Sequence, residues 1–371
     1  MNIPRILNAY DPRRLRIATL GGHSALDICR GAKIHGFRTT VIAERGREKP
    51  YTTYYRAKDG RGIIDEVIVV KKFADILKKT VQERLRNDNA LFIPHRYLAV
   101  YCDLSAIEKK FMVPLFGSRM ALRFEERTAS PNQYTVLQKS GIRMPKIFKN
   151  PRTIDRLVIV KAAEAKRSYE RAFFLCANFK QYQEKSREFI EQKITTPEAV
   201  RNTVIEEYIV GAQVNFNFFY SPLNGKLELI GTDMRRQTNI DGLLRLPVPL
   251  QYEALQFITP KYIETGHIAV TVKESLLGKI FTLGEKFIRG MKKVSTPGII
   301  GPFALQGAVV TEDNKEDIVI FDVSMRIPGS PGTMFTPYSA YTYGAPISYG
   351  ERIALEIKNT AAAGRLDRIC T

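Results

Sequence analysis

The chain has 371 residues, 44% of them hydrophobic, enough for a large core and more than one folding unit. Its net charge of +19, from 57 Lys and Arg against 38 Asp and Glu, raises an anionic ligand or a nucleic acid as a partner. No run of about 18 apolar residues occurs and Met1-Asn2-Ile3-Pro4-Arg5 lacks a signal-peptide core, which excludes a membrane span and leads to the expectation of a soluble, cytoplasmic protein.

Leu15–Leu20 reads as a short apolar strand, Gly21-Gly22-His23-Ser24 as a turn and Ala25–Lys33 as a helix. A strand that turns through glycines into a helix aims free N–H groups and a positive dipole end at whatever lies above the turn. Gly22, His23 and Ser24 are therefore candidate ligands of a phosphate or carboxylate. Further strands are expected at Thr39–Ala43, Glu66–Val70, Leu91–Pro94 and Met112–Leu115, with helix over Phe73–Asn87. The alternation implies a parallel sheet and a Rossmann-like α/β domain over residues 1–120. His95 follows Pro94 at the C-terminal edge of a strand, where such sheets place their ligands.

From Arg119 to Gly141 the pattern is helical; prolines at 145 and 151 break it before a strand Leu157–Val160 that ends on Lys161. A lysine closing an apolar strand is either a fixed cation for phosphates or an exposed strand end. A polar helix over Phe179–Gln192 precedes strands at Val204–Val210, Val214–Tyr220, Leu227–Gly231 and Leu243–Leu246, with a hairpin turn at Asn224-Gly225. This half is expected to be α+β, an antiparallel sheet with helices on one face. Within it, Glu206-Glu207-Tyr208-Ile209 is either a solvated acidic edge or a nucleotide contact, and Arg235-Arg236 either a solvated basic pair or an anion contact.

The last third carries a helix at about Val272–Lys293, whose apolar stripe belongs to the core, then a Pro297-Gly298 break, a strand Phe303–Val310, a turn at Asp313-Asn314-Lys315, a strand Ile318–Ser324, a loop Ile327–Pro337 and a helix Ser348–Ala363. The period of two places Asp322, Ser324 and Arg326 on one sheet face, near Gln306 on the preceding strand. Hard oxygen ligands beside a cation suit a divalent ion with phosphate. Joined to Lys161 and the acidic strand edge, they are the parts needed to hold ATP with magnesium, and they point to a nucleotide-dependent ligase. Cys29, Cys102, Cys176 and Cys370 show no CxxC spacing, and His23, His35, His95 and His267 are scattered, so neither a disulfide framework nor a zinc motif is indicated.

Several words in order then carry a family resemblance: Ala18-Thr19-Leu20-Gly21-Gly22-His23-Ser24, Arg30-Gly31-Ala32-Lys33, Pro94-His95, Val113-Pro114-Leu115-Phe116-Gly117, Tyr220-Ser221-Pro222-Leu223, Asn239-Ile240-Asp241-Gly242-Leu243-Leu244-Arg245 and Gly301-Pro302-Phe303-Ala304-Leu305-Gln306. The chain resembles, nearly end to end, the archaeal 5-formaminoimidazole-4-carboxamide ribonucleotide synthetases, the ATP-grasp ligases that formylate AICAR with formate in purine biosynthesis. The resemblance implies a Rossmann-like pre-ATP-grasp domain at 1–120 and an ATP-grasp domain at 121–371, divided into a small lid subdomain at about 121–210 and a C-terminal subdomain at about 211–371. It implies ATP with Mg2+ or Mn2+, the small-molecule substrates AICAR and formate, a formyl phosphate intermediate, and a trimer or hexamer.

In that frame Lys161 pairs with ATP phosphates, while Glu206, Glu207, Tyr208 and Ile209 hold the adenine. Gln306, Asp322 and Ser324 hold the metal. Gly22, His23 and Ser24, with His95 as a second candidate, take AICAR, and Arg235 meets phosphate or formate. Arg326 neutralises the γ-phosphate, or forms a structural pair with Asp322; Arg326 and His23 are the catalytic candidates.

Departures from the family pattern fall around these positions. Ala162–Ala172 contains no glycine where the family has a glycine-rich lid, Pro328-Gly329-Ser330-Pro331-Gly332-Thr333 stands in place of Gly-Gly-Thr-Asn, and Arg127–Asn132 differs in length and charge. Two readings stay open: an active formate-dependent AICAR ligase that uses Lys166 and Arg167 on the phosphates, or a divergent paralogue that acts on another carboxylate and amine or binds nucleotide without turnover. A nucleic-acid binder ranks third, because no reader motif accompanies the charge.

Overall fold

The computed structural model describes residues 3–126, 129–161, 173–261 and 263–371. The glycine-free segment after Lys161 and the start of Arg127–Asn132 lie outside the described residues.

The first sheet is built from β1 (Arg16–Leu20), β2 (Arg38–Glu44), β3 (Glu66–Val70) and β4 (Ala90–Phe92) in the parallel order β3-β2-β1-β4. Every residue of β1 is buried, as expected of a parallel strand covered on both faces. The helix Ala25–Ile34 follows β1 directly. Met112–Leu115 makes only a bridge, Phe92 to Leu115, instead of the expected strand, because Pro114 removes a ladder donor. Phe73–Asn87 divides into a 3-10 turn, Phe73–Leu77, and a helix, Lys79–Asn87.

The second sheet is small and antiparallel, with β5 (Ile147–Phe148), β6 (Val158–Lys161), β7 (Phe173–Cys176) and β8 (Val204–Glu207) in the order β5-β8-β6-β7. The helix Phe179–Glu191, capped by Asn178, covers one face through Phe174, Tyr182 and Phe189.

The third sheet holds β9 (Ala212–Ser221), β10 (Lys226–Gln237), β11 (Glu264–Ala269), β12 (Gly301–Glu312) and β13 (Lys315–Ser324) in the antiparallel order β11-β10-β9-β12-β13. Gly225 (φ 67°) closes the β9–β10 hairpin, and Asp313 and Asn314, both left-handed at 49° and 58°, close β12 onto β13, the backbone a two-residue turn requires. One face packs on the helices Gln133–Ser140 and Leu277–Val294; Phe303 lies stacked between Phe218 (5.2 Å) and Phe287 (5.0 Å). Leu243–Leu246, expected as a strand, instead closes a short helix, Ile240–Leu243, and continues as a turn. β5, β7 and β11 were not anticipated.

A further core joins the first and third sheets: Ile17 of β1, Ile93 just past β4 and Ile28 of the helix Ala25–Ile34 on one side, Phe219 and Ile230 on the other, with Tyr349, Ile353 and Ile357 of the helix Tyr349–Ala362 between them. This helix crosses Ala25–Ile34 where Gly31 meets Gly350. A Cβ on Gly31 would lie 2.1 Å from the Gly350 carbonyl carbon, and one on Gly350 2.0 Å from the Asp27 oxygen. The contact fixes the helix that starts beneath the glycine turn against the third sheet. Among the described residues no helix is long and apolar enough to cross a membrane.

Candidate nucleotide and anion site

The glycine turn after β1 is shaped for His23. Gly22 has φ 149°, and a Cβ there would strike the Tyr97 ring at 2.1 Å. His23 itself is left-handed (φ 48°), a strained backbone for a non-glycine residue, and the residue as a whole is exposed. That ring rests over Gly329, where a Cβ would come within 2.6 Å of the imidazole, and stacks on His95 with centroids 5.7 Å apart.

Hydrogen bonds settle both tautomers. Ser24 Oγ donates to the Pro328 carbonyl (2.8 Å), so its single proton is used, and His23 Nδ1, 2.9 Å away, must donate to it. The Nε2 lone pair of His23 has no hydrogen-bond donor among the described residues. Although the residue is exposed at the surface, the protein atoms crowded round the ring, then the charges of Arg326, His95 and Arg96, press its pKa down, so His23 is neutral at physiological pH. His95 is only 1% exposed; its Nε2 donates to the Leu20 carbonyl (2.8 Å) and its Nδ1 accepts from Tyr97 N (3.3 Å). Both nitrogens of His95 are thus engaged by backbone groups, and its ring lies against that of His23.

The turn meets the loop after β13: Ser24 bonds Pro328, and His95 forms a bridge with Ile327. Arg326, at the start of that loop, is buried; its Nη2 lies 3.5 Å from Glu125, its Nη1 bonds the Ile327 carbonyl, and its Nε has no hydrogen-bond partner among the described residues. Glu125 accepts from Met325 N (2.6 Å) and is 3.7 Å from Arg96. Burial lowers the Arg326 pKa, Glu125 opposes that, and Arg96 and Arg235 add to it. A guanidinium so crowded by cations is a seat for an anion.

On the third sheet, Asn215 of β9, Gln306 of β12 and Asp322 of β13 are register partners in one row. Gln306 Nε2 donates to Ser324 Oγ (3.0 Å), and Arg235 Nη2 holds Gln306 Oε1. The three proposed metal residues therefore do come together. Their donors are hard oxygens that suit magnesium, which is commonly held by one or two carboxylates plus phosphate oxygens. In such a site Asp322 would supply the carboxylate, while the Gln306 oxygen is held by Arg235.

On the small sheet, Lys161 of β6 and Glu206 of β8 form a direct ion pair, the carboxylate 2% exposed and also bonded by Tyr134 OH (2.9 Å). Glu207 instead faces Arg156 (3.2 Å) and Lys146 N (3.2 Å). Beyond it Tyr208 N bonds the Leu157 carbonyl (3.0 Å), leaving Ile209 N–H without a protein partner among the described residues.

Sequence reasoning missed Glu125, Tyr134, Asp233, Glu264 and His267. Asp233 is 1% exposed and bonded by Asn215 (2.9 Å), Asn217 (2.5 Å) and His267. No local spacing marks this set, because it is assembled by the register of β9, β10 and β11.

A family model described as a domain of unknown function (DUF1297) matches residues 181–371, and one described as a protein of unknown function (DUF1246) matches residues 17–148. A Methanopyrus kandleri protein named 5-formaminoimidazole-4-carboxamide-1-(beta)-D-ribofuranosyl 5'-monophosphate synthetase is 39% identical over 369 residues, covering 100% of this chain and 98% of that protein. One of the same name from Methanosphaera stadtmanae is 40% identical over 373 residues with the same coverage. The chain belongs to this synthetase family. Among solved structures, the IMP biosynthesis protein PurP from Thermococcus kodakaraensis superposes with a TM-score of 0.71 at 27% identity, covering 96% of this chain and 100% of that one. An ADP complex of N5-carboxyaminoimidazole ribonucleotide synthetase superposes with a TM-score of 0.60 at 12% identity, covering 93% and 77%, a likeness of fold alone. The synthetase fold is ATP-grasp, and its three sheets bring the glycine turn, the strand lysine and the β12–β13 oxygen row into one molecule.

Proposed function

We propose that the chain is a cytoplasmic, ATP-dependent carbon–nitrogen ligase that uses formate to convert AICAR to FAICAR, the ribonucleotide its relatives are named for making. The observation that carries the reading is the Ser24–Pro328 hydrogen bond, which ties the glycine turn to the loop following Asp322 and Arg326. Substrate amine and activated carboxylate then have one place to meet. A formate oxygen attacks the γ-phosphorus and ADP leaves; the AICAR amine attacks the formyl carbon, and phosphate leaves with that oxygen. His23 Nε2 takes the amine proton, and Arg326 with Arg235 balances phosphoryl charge.

On this reading Lys161 turns from Glu206 to the phosphates, Glu207–Ile209 line the adenine through Ile209 N–H, and Asp322 holds the magnesium with Gln306 and Ser324 beside it. Residues 1–120 form the N-terminal unit, about 121–210 the lid and about 211–371 the C-terminal subdomain. Copies assemble through the arm between β10 and β11, where Leu244, Val248, Tyr252 and Phe257 are 60% to 81% exposed in a stretch with little charge; light scattering tests this.

The decisive assay is incubation with Mg-ATP, formate and AICAR. Equal amounts of phosphate and FAICAR, lost on omitting either substrate, support the ligase. ATP-induced thermal stabilisation without turnover supports a nucleotide-binding paralogue instead.

A further inference from the structure

We propose that His267 is a positioning residue: a doubly donating imidazolium that, through Glu264, holds the Arg235 guanidinium where an anionic substrate group binds. The proposal rests on the ligase reading for the identity of that anion, formate or the ATP γ-phosphate, but its geometry does not.

Both ring nitrogens of His267 face carboxylates. Nδ1 meets Asp233 Oδ2, and Nε2 lies 3.0 Å from Glu264 Oε1. An ionised carboxylate only accepts, so each nitrogen must carry a proton. Asp233 is fixed in turn by the amides of Asn215 and Asn217, which leaves the ring one orientation, in the way outer carboxylates orient metal-bound histidines.

Glu264 is shared. While Oε1 meets His267, Oε2 lies 3.3 Å from Arg235 Nε, and Arg235 Nη2 reaches Gln306 on β12. A line of hydrogen bonds and one ion pair therefore runs from buried Asp233 through His267, Glu264 and Arg235 to Gln306, crossing the sheet to the candidate metal row. Arg235 Nη1 makes no hydrogen bond among the described residues, and its side chain is 38% exposed. An arginine with two arms clamped and one open is pre-organised for an anion.

The charged groups facing His267 are Asp233 and Arg235 from β10 and Glu264 from its own strand. Burial alone would discharge the ring; the hydrogen bonds and charges of the two carboxylates raise its pKa to about 9 instead. Its side chain is 9% exposed, so the cation is retained by its partners and not by water.

The test uses wild type, His267→Gln and Glu264→Gln, each checked by thermal melting. Because Glu264 is itself 39% exposed, Glu264→Gln keeps the fold if His267→Gln does not. Nitrogen-15 NMR of wild type near pH 7.5 should show both His267 nitrogens protonated. Glu264→Gln should raise KM for formate or ATP about tenfold or more with kcat within a few-fold, and folded His267→Gln should do the same. A neutral His267 at that pH, or unchanged KM for every substrate in Glu264→Gln, overturns the proposal. Should wild type show no turnover, the ligase reading fails on its own, and calorimetric titration with Mg-ATP and with formate decides the positioning role: about tenfold weaker binding of one of them in Glu264→Gln supports it, and equal or absent binding in both proteins overturns it.

Discussion

The imidazole of His23 lies on that of His95 with planes within 8° of parallel, yet the two rings have opposite tasks. His95 spends both nitrogens on backbone groups, whereas His23 spends one on Ser24 and, on the proposed mechanism, uses the other as the base. Replacing His23 by Asn should lower kcat by about 10²- to 10⁴-fold while ATP affinity stays at the wild-type value. Replacing His95 by Phe should instead cost about 1–3 kcal/mol of stability, because Leu20 and Tyr97 lose their partners. Steady-state kinetics and denaturant titration separate the two.

Stability should form a dome in pH. His95, pushed down to about 4 by burial, binds fewer protons folded than unfolded, so its contribution is whole above about pH 6.5 and is lost as pH falls towards 4. His267, raised to about 9, binds more protons folded; its contribution is whole below about pH 6.5 and fades as pH rises through 9. Melting temperature measured across pH should fall on both sides, and His267→Gln should flatten the alkaline side alone.

Lys161→Ala removes the partner of a buried carboxylate. Loss of one member of such a pair costs about 3–5 kcal/mol, so the variant should melt earlier as well as bind ATP about tenfold or more weakly. The Lys161→Met, Glu206→Gln double variant should recover most of the stability and none of the affinity. Calorimetry with ATP reads the second effect independently of the first.

How far these features were legible in the sequence depends on whether they are local. The glycine turn, the β12–β13 hairpin and the paired oxygens at Gln306 and Asp322 follow from period, turn residues and adjacency. Lys161 and Glu206, 45 positions apart, were each singled out, but their ion pair was not, since it exists only through the register of β6 with β8. His95 reads as a ligand because it sits at a strand end; its two backbone partners are set by the tertiary fold and leave no mark in the sequence. β11 escaped notice because Thr265 and Gly266 interrupt its apolar pattern, and His267 escaped with it.

The crossing of Gly31 with Gly350 makes a sharp structural prediction. Gly350→Ala puts a methyl group onto the Asp27 carbonyl, so the helices must separate, with a loss of about 1–3 kcal/mol or more. Gly344→Ala, at a left-handed position (φ 74°) with no atom near its Cβ, should cost less, about 1 kcal/mol of backbone strain. Equal melting temperatures for the two variants would refute the close helix contact.

Asp322→Ala should keep the fold and abolish the magnesium dependence of ATP binding, read by titrations with and without the metal. Retained dependence removes Asp322 from the metal site.

Transfer of oxygen from formate is the most direct trial of the central claim. With 18O-labelled formate, Mg-ATP and AICAR, the account predicts one labelled oxygen in the phosphate released with each FAICAR formed. Unlabelled phosphate, or phosphate released without formylated product, would contradict it.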